Sequence, residues 1–313
     1  MDLTTKILLV PCIYVVSYLP WRILDGMSAI IYVFLFYIVR YRKKVVREHI
    51  QYAFPNLDSS EREAIVKNFY KHLADIIVET IKGFSMSEKD ILKHFQIKEN
   101  QAWQDILQQD KNIIVALSHQ NNWEWVCLLF GAYFKDKRIY PIGFYKPLRN
   151  KSVEQLLNKM RTKFGGTMYS SEQPLAVLRR LKQKEQKVLL GSVSDQRPLE
   201  IDKECVLPFL NRLTPFFTGL AWLSMGANVP IYYGSIRKVK RHYYQIEFIH
   251  LYSPTKTIID KKQETQYIMK LYAHQLEKDI QREPHTWLWS HKRWKFAPMP
   301  YNSSLNTSAL TSS

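Results

Sequence analysis

The segment His119-Gln-Asn-Asn-Trp-Glu124 places a base and a carboxylate five positions apart near the middle of the chain. An imidazole changes charge close to neutral pH, so it can take a proton from a hydroxyl as that hydroxyl attacks a thioester. A carboxylate on the second ring nitrogen would fix the tautomer and stabilise the imidazolium. No serine or cysteine nucleophile is needed if the hydroxyl attacks directly. On one regular helix, residues five apart point about 140° away from each other. Convergence therefore requires His119 in a loop and Glu124 in the first turn of the next helix. The same residues also read as a helix start, with Asn121 as N-cap and Glu124 reaching back to it. Taken alone, the residues leave both readings open.

The surrounding elements must create that loop. Asn112 to Ser118 is a continuous apolar run rich in β-branched residues, as expected of a strand buried on both faces, and Trp123 to Phe134 reads as the helix after it. Helices are expected over Ser59–Lys82, Gln101–Gln108, Ser152–Phe164, Leu175–Gln183, Phe216–Met225 and Glu264–Gln281. Strands are expected over Arg138–Phe144, Lys187–Val193, Val229–Val239 and His242–Leu251. This alternation predicts an α/β fold, a mixed and mostly parallel sheet flanked by helices. The hairpin-like pair near Lys240 supplies the antiparallel part.

Composition narrows the partner. The chain has 313 residues, 46% of them hydrophobic, and 45 Lys and Arg against 28 Asp and Glu give a net charge of +17. Global disorder is excluded, and the charge calls for an anionic partner. Residues Ile7 to Val39 are overwhelmingly apolar, broken by Pro11, Pro20, Arg22 and Asp25, with interfacial aromatics such as Tyr18 and Trp21. Two apolar helices dipping into one leaflet, or one tilted span, fit this pattern. The cluster Arg40-Tyr-Arg-Lys-Lys44 follows, then Arg47, which suits anionic headgroups on a cytoplasmic surface. Residues 1–45 thus read as a membrane-anchoring segment, 46–300 as an α/β domain and 301–313 as a disordered tail. Cys12, Cys127 and Cys205 are widely separated and match no metal or disulfide pattern.

Taken together, these pieces resemble the bacterial late acyltransferases of lipid A biosynthesis, within the wider group of glycerophosphate acyltransferase-like proteins. The resemblance rests on the apolar N-terminus with its basic flank, Glu48-His49-Ile-Gln-Tyr-Ala-Phe-Pro55 and the His119 motif. It continues through Phe144-Tyr-Lys-Pro-Leu-Arg-Asn150, Met160-Arg-Thr-Lys-Phe-Gly165, Ser194-Asp-Gln196, Phe209 to Thr218 and Trp287-Leu-Trp-Ser-His-Lys-Arg-Trp294. It implies an acyl carrier protein or acyl-coenzyme A donor and a membrane glycolipid acceptor, probed from the cytoplasmic face of the inner membrane. It implies no cofactor and no metal. By motif position His119 would be the general base and Glu124 its orienting partner, with Arg161 and Asp195 lining the site. Gln51 stands where Asn is usual, and Phe209 to Thr218 is less glycine-rich than the family pattern.

Further substrate-binding candidates are Asn122 within the motif, Lys146 and Arg149 after a strand (with Lys151 beside them), and Gln196 and Arg197 with Asp195. The last three follow Lys187 to Val193, at the strand end where α/β proteins place sites. Arg179, Arg180, Lys182 and Lys184 are either a solvated face or a dock for an acidic carrier protein. Arg237, Lys238, Lys240 and Arg241 read as a hairpin turn, and His285 and His291 as packing or interfacial residues. Phe216 to Met225 reads as core or as the wall of an acyl tunnel. Two competitors remain: acylation of another lipid (a lysophospholipid, a phosphatidylinositol mannoside or an aminolipid), and a non-catalytic, membrane-tethered binder of anionic lipid or RNA. The second lacks any RNA-recognition motif, so no nucleic-acid partner is expected.

Overall fold

The computed structural model describes residues 10–183, 186–198, 205–255 and 259–295; the expected tail 301–313 and Lys184 lie outside them. The sheet is built from β1 (Phe95–Ile97), β2 (Ile113–Leu117), β3 (Ile139–Tyr145), β4 (Thr167–Ser170), β5 (Lys187–Val193), β8 (Ile231–Lys240) and β9 (Tyr243–Tyr252). Their order is β1-β9-β8-β2-β5-β3-β4, and every neighbouring pair is parallel except β8 with β9. A separate two-stranded ribbon joins β6 (Val206–Phe209) to β7 (Arg212–Pro215).

β2 shows why the sheet needs cover on both sides. All five of its residues are buried. Ile114 and Ala116 join the core on one face, while Ile113, Val115 and Leu117 join the core on the other. The strand period of two thus feeds two separate cores, and each fully buried aliphatic side chain contributes about 1.5–3 kcal/mol. One face is covered by α5 (Glu88–His94), α6 (Gln101–Gln108), α7 (Trp125–Phe134) and α8 (Lys151–Arg161). The other is covered by α9 (Pro174–Lys182), α10 (Gly219–Ala227) and α11 (Lys261–Arg282), together with residues of α3 (Lys43–Ala53) and α4 (Ser59–Lys82). α4 opens with a reciprocal capping box between Asp58 and Glu61.

At the N-terminus, α1 (Val10–Tyr18) turns at Pro20 into α2 (Trp21–Val33), which runs on as a π-helical turn over Phe34–Ile38. Trp21–Ile38 is long and apolar enough to cross a membrane by length and composition. Ile30, Phe34, Tyr37 and Ile38 on this stretch are each at least half exposed. Leu24, Ser28 and Phe36 form its buried side, and both parts of the stretch pack against α4.

Candidate active site

Chain topology brings the first functional pair together. β2 and β5 are adjacent and parallel, with Leu117 opposite Val193 in register. Ser194 N donates to Leu117 O, so the ladder continues one step past both strands. His119 and Asp195 each lie two residues beyond that register pair, at the carboxyl ends of adjacent strands. His119 Nδ1 and Asp195 Oδ1 are 2.6 Å apart, and His119 N donates to Asp195 Oδ2 over 2.9 Å. Trp287 Nε1 donates to Asp195 Oδ2 over 2.7 Å.

Asp195 is buried and His119 partly exposed. Burial alone would push the Asp195 carboxyl up, but the electrostatic attraction to His119 and the hydrogen bonds from His119 and Trp287 outweigh it and hold the group down at about 2. An ionised Asp195 accepts from Nδ1–H, which leaves the Nε2 lone pair for the substrate side. The Gln196 amide, 3.0 Å from Nε2, takes that position as donor. This is the tautomer a general base requires.

Glu124 is paired elsewhere than expected. Arg161 Nε donates to Glu124 Oε2 over 3.0 Å and Arg161 Nη2 donates to Oε1 over 2.9 Å, a two-pronged ion pair. Asp195 holds the imidazole instead, because the parallel register delivers it there. The helix-cap reading also changes. Asn121 has a left-handed backbone (φ 53°), and Glu124 stands at the N-cap of α7 with no side-chain capping bond. Asn122 takes over: its Oδ1 accepts from Trp125 N over 3.1 Å, and its Nδ2 donates to Glu79 Oε2 over 2.7 Å. Asn122 is fully buried, and both ends of its amide brace the loop.

The rest of the loop is tied down as firmly. Asn121 N donates to Thr286 O, Leu288 N donates to His119 O, and Gln120 Nε2 donates to Asp279 O and Thr286 Oγ1. The tryptophan-rich C-terminal segment, whose His285 and His291 read as packing or interfacial residues in the sequence, is therefore the floor beneath the motif.

An apolar slot, about 480 Å³ including open solvent, opens beside this pair, between α7 and strands β3, β4 and β5. Trp123, whose ring meets that of His119 edge-on at 5.3 Å, stands in its wall with Arg161. Gly143 and Gly191, opposite each other in register, line the slot with Met168. Gly166 closes one side with φ +91°, where an added Cβ would come within 2.7 Å of Pro141 O. Cys127 also lines the slot, but burial pushes its thiol up to about 11, which leaves it a poor nucleophile. Arg161 is held above its ordinary value: burial opposes its charge and the Glu124 carboxylate more than compensates.

A second cavity, about 1000 Å³ including open solvent, lies past the end of β5 and is lined by Lys146, Gln196, Arg197, Phe217 and Trp222. It shares Phe144 and Val193 with the slot, so the two meet at the strand end. Arg149 is exposed before α8 and lines neither space, and Lys151 pairs with Glu154. Phe216 to Met225 was expected as one helix, but α10 starts at Gly219, and Phe217 and Trp222 line this second cavity while Phe216 is core. Arg179, Arg180 and Lys182 end α9, where cations complement the helix dipole.

Around the β8–β9 turn, Lys238 and Arg241 pair with Asp75, and Arg241 also pairs with Asp25 of α2. His242, not singled out from sequence, has Asp25 Oδ1 at 2.7 Å from Nε2 and Glu79 Oε1 at 2.8 Å from Nδ1. Through Glu79 and Asn122 this junction ties the apolar N-terminal helix to the loop that carries His119. His285 and His291 are half-buried, and burial pushes both down, His291 to about 4. Among the described residues, no group of three or more His, Cys, Asp or Glu is placed to hold a metal ion.

A family model described as bacterial lipid A biosynthesis acyltransferase matches residues 3–296 of this chain. The lipid A biosynthesis acyltransferase of Haemophilus influenzae is 20% identical over 156 residues, which cover 50% of this chain and 48% of that relative. The match thus spans about half the length of the curated relative.

Proposed function

Because this chain belongs to the bacterial lipid A biosynthesis acyltransferase family, we propose that it transfers a fatty acyl group from a thioester to a hydroxyl of a membrane glycolipid, with His119 as general base oriented by Asp195. The observation that carries this reading is the Asp195–His119–Gln196 line, whose far end, Gln196, lines the second cavity that adjoins the apolar slot.

The acceptor hydroxyl displaces the Gln196 amide from His119 Nε2. As its oxygen attacks the thioester carbonyl, its proton passes to Nε2, and ionised Asp195 stabilises the imidazolium. Collapse of the tetrahedral intermediate re-forms the carbonyl, breaks the C–S bond and expels the thiolate. The thiolate takes the proton back from His119, so the enzyme returns to its starting state. No acyl-enzyme is required, which agrees with the weak nucleophilicity of Cys127.

Two adjoining spaces fit the donor. The slot is apolar and takes the acyl chain. The second cavity joins it at β5 and offers Lys146 and Arg197 to the phosphate of the pantetheine arm that acyl carrier protein and coenzyme A share. The Glu124–Arg161 pair carries no net charge and keeps the helices on either side of the slot in place. Residues 1–45 seat the protein at the inner membrane: the exposed apolar face of Trp21–Ile38 enters lipid, and Arg40, Arg42, Lys43 and Lys44 contact anionic headgroups on the cytoplasmic side.

The test is a membrane-extract assay with labelled acyl carrier protein. His119→Ala should fold, as judged by its melting curve, and lose transfer by about 10²–10⁴-fold. Wild-type rates in that variant would end this reading. Unchanged lipid A species in a deletion strain would move the acceptor to another lipid.

A further inference from the structure

A third cavity, about 640 Å³ including open solvent, lies between the end of the apolar N-terminal helix, α4 and the turn from Leu288 to His291. Its apolar wall is Leu35, Leu73, Ile77 and Leu288, and its polar edge includes Arg42 and His291. The acyl-transfer steps above use none of these side chains, and only Arg42, at the headgroup level, has been given a role.

Three observations set it apart from a chance dent. The first is its distance from the chemistry: Leu288 N donates to His119 O over 3.0 Å, so one turn of chain separates this cavity from the base. That turn is braced by Arg42, whose Nη1 donates to Ser290 O over 2.9 Å.

The second is the backbone that brings Arg42 there. The helix widens into a π turn over Phe34–Ile38, and Tyr41 N donates all the way back to Leu35 O. Arg40 and Arg42 then both take left-handed conformations, φ 51° and 52°, which are uncommon for residues other than glycine. π turns and such outliers concentrate at functional sites. Here they fold the basic flank under the apolar helix, toward the catalytic loop.

The third is continuity. Leu35 belongs to the apolar stretch whose outer face carries exposed Phe34, Tyr37 and Ile38. A lipid lying against that stretch therefore meets apolar wall first, then a cation, then the turn that is hydrogen-bonded to the His119 backbone. The two donor spaces lie elsewhere, lined by β3, β4, β5, α7 and the start of α10.

We propose that this cavity is the side entrance for the acceptor, a phosphorylated lipid that slides in from the bilayer with an acyl chain along Leu35, Leu73 and Ile77 and a phosphate at Arg42. The proposal rests on the acyl-transfer reading above and assigns the acceptor its own route. Donor and acceptor then approach His119 from different sides, and neither must leave before the other binds.

The experiment uses the full chain in phosphatidylcholine vesicles, with labelled acyl carrier protein as donor and a bisphosphorylated disaccharide lipid as acceptor. Ile77→Trp fills the cavity from α4, and Arg42→Gln removes the cation. Each should raise the acceptor KM about tenfold or more while leaving the donor KM within twofold, and Arg42→Lys should recover part of the loss. With a dephosphorylated acceptor, wild type and Arg42→Gln should converge. Should Ile77→Trp fail to fold, the exposed Arg42 substitutions carry the test. An unchanged acceptor KM in the variants, or equal rises in both KM values, overturns the proposal. Loss of transfer in wild type, or its survival in His119→Ala, would instead strike the acyl-transfer reading itself.

Discussion

His119 and Glu124 open and close one six-residue motif, yet they sit in pairs of opposite character. The His119–Asp195 pair is unsymmetrical: Asp195 is held from three sides, while the far nitrogen of His119 meets only a displaceable glutamine amide. The Glu124–Arg161 pair is closed, with both carboxylate oxygens engaged by one guanidinium. The first arrangement leaves one atom ready for proton transfer. The second spends its polar capacity internally and joins the start of α7 to the end of α8 across the slot. Proximity in sequence therefore misassigns the partner of His119, and the strand register assigns it.

The widest separation between the pairs is expected in turnover. Asp195→Asn keeps the shape but removes the charge that supports the imidazolium, so turnover should fall about 10²-fold or more with a near-normal fold. Steady-state kinetics beside circular dichroism would check this. Glu124→Gln should differ by costing stability as well, about 3 kcal/mol, because it leaves Arg161 largely buried without its counter-charge. Urea melts would read that loss, and Glu124→Gln combined with Arg161→Met should recover most of it. If the double variant were no more stable than the single one, the bracing role assigned to this pair would be wrong.

Smaller effects sharpen the same contrast. Gly191→Val should project into the slot past Leu117 and depress transfer of long acyl chains about tenfold relative to short ones. Equal losses for all chain lengths would show that the slot does not hold the chain. Acid stability gives the smallest signal. The Asp195 carboxyl is held at about 2, below its usual 3.8. Its contribution, about 2 kcal/mol, is complete above the unfolded value and is lost as pH falls toward 2. The pH-dependent melting curve of Asp195→Asn should be flatter than that of wild type between pH 4 and 2.

Much of this was legible in the residues. β2 announced itself because Ile113 to Leu117 is apolar on both faces, and the sheet class followed from alternating strand and helix signals. His119 and Asp195 were both nominated, each from its place after a buried strand. Their contact was not, because strand order is a long-range property: β5 inserts between β2 and β3, and local pattern cannot show that insertion. Short elements also escaped, including β1 and the β6–β7 ribbon, whose three or four residues carry too little period. The role of Trp287 was hidden for the reverse reason. Its indole N–H reaches 92 residues along the chain to Asp195, and a tryptophan-rich stretch reads as packing until that acceptor is known.

The most direct measurement is the pH dependence of single-turnover acyl transfer in wild type, Asp195→Asn and Glu124→Gln, compared side by side. If Asp195 supports the base, removing its charge makes the imidazolium easier to deprotonate. The acid limb of the rate profile should then move to lower pH in Asp195→Asn, with a reduced plateau. Glu124→Gln should leave the limb where it is in wild type, whatever its effect on the plateau. A limb that moves in Glu124→Gln and stays put in Asp195→Asn would contradict the account.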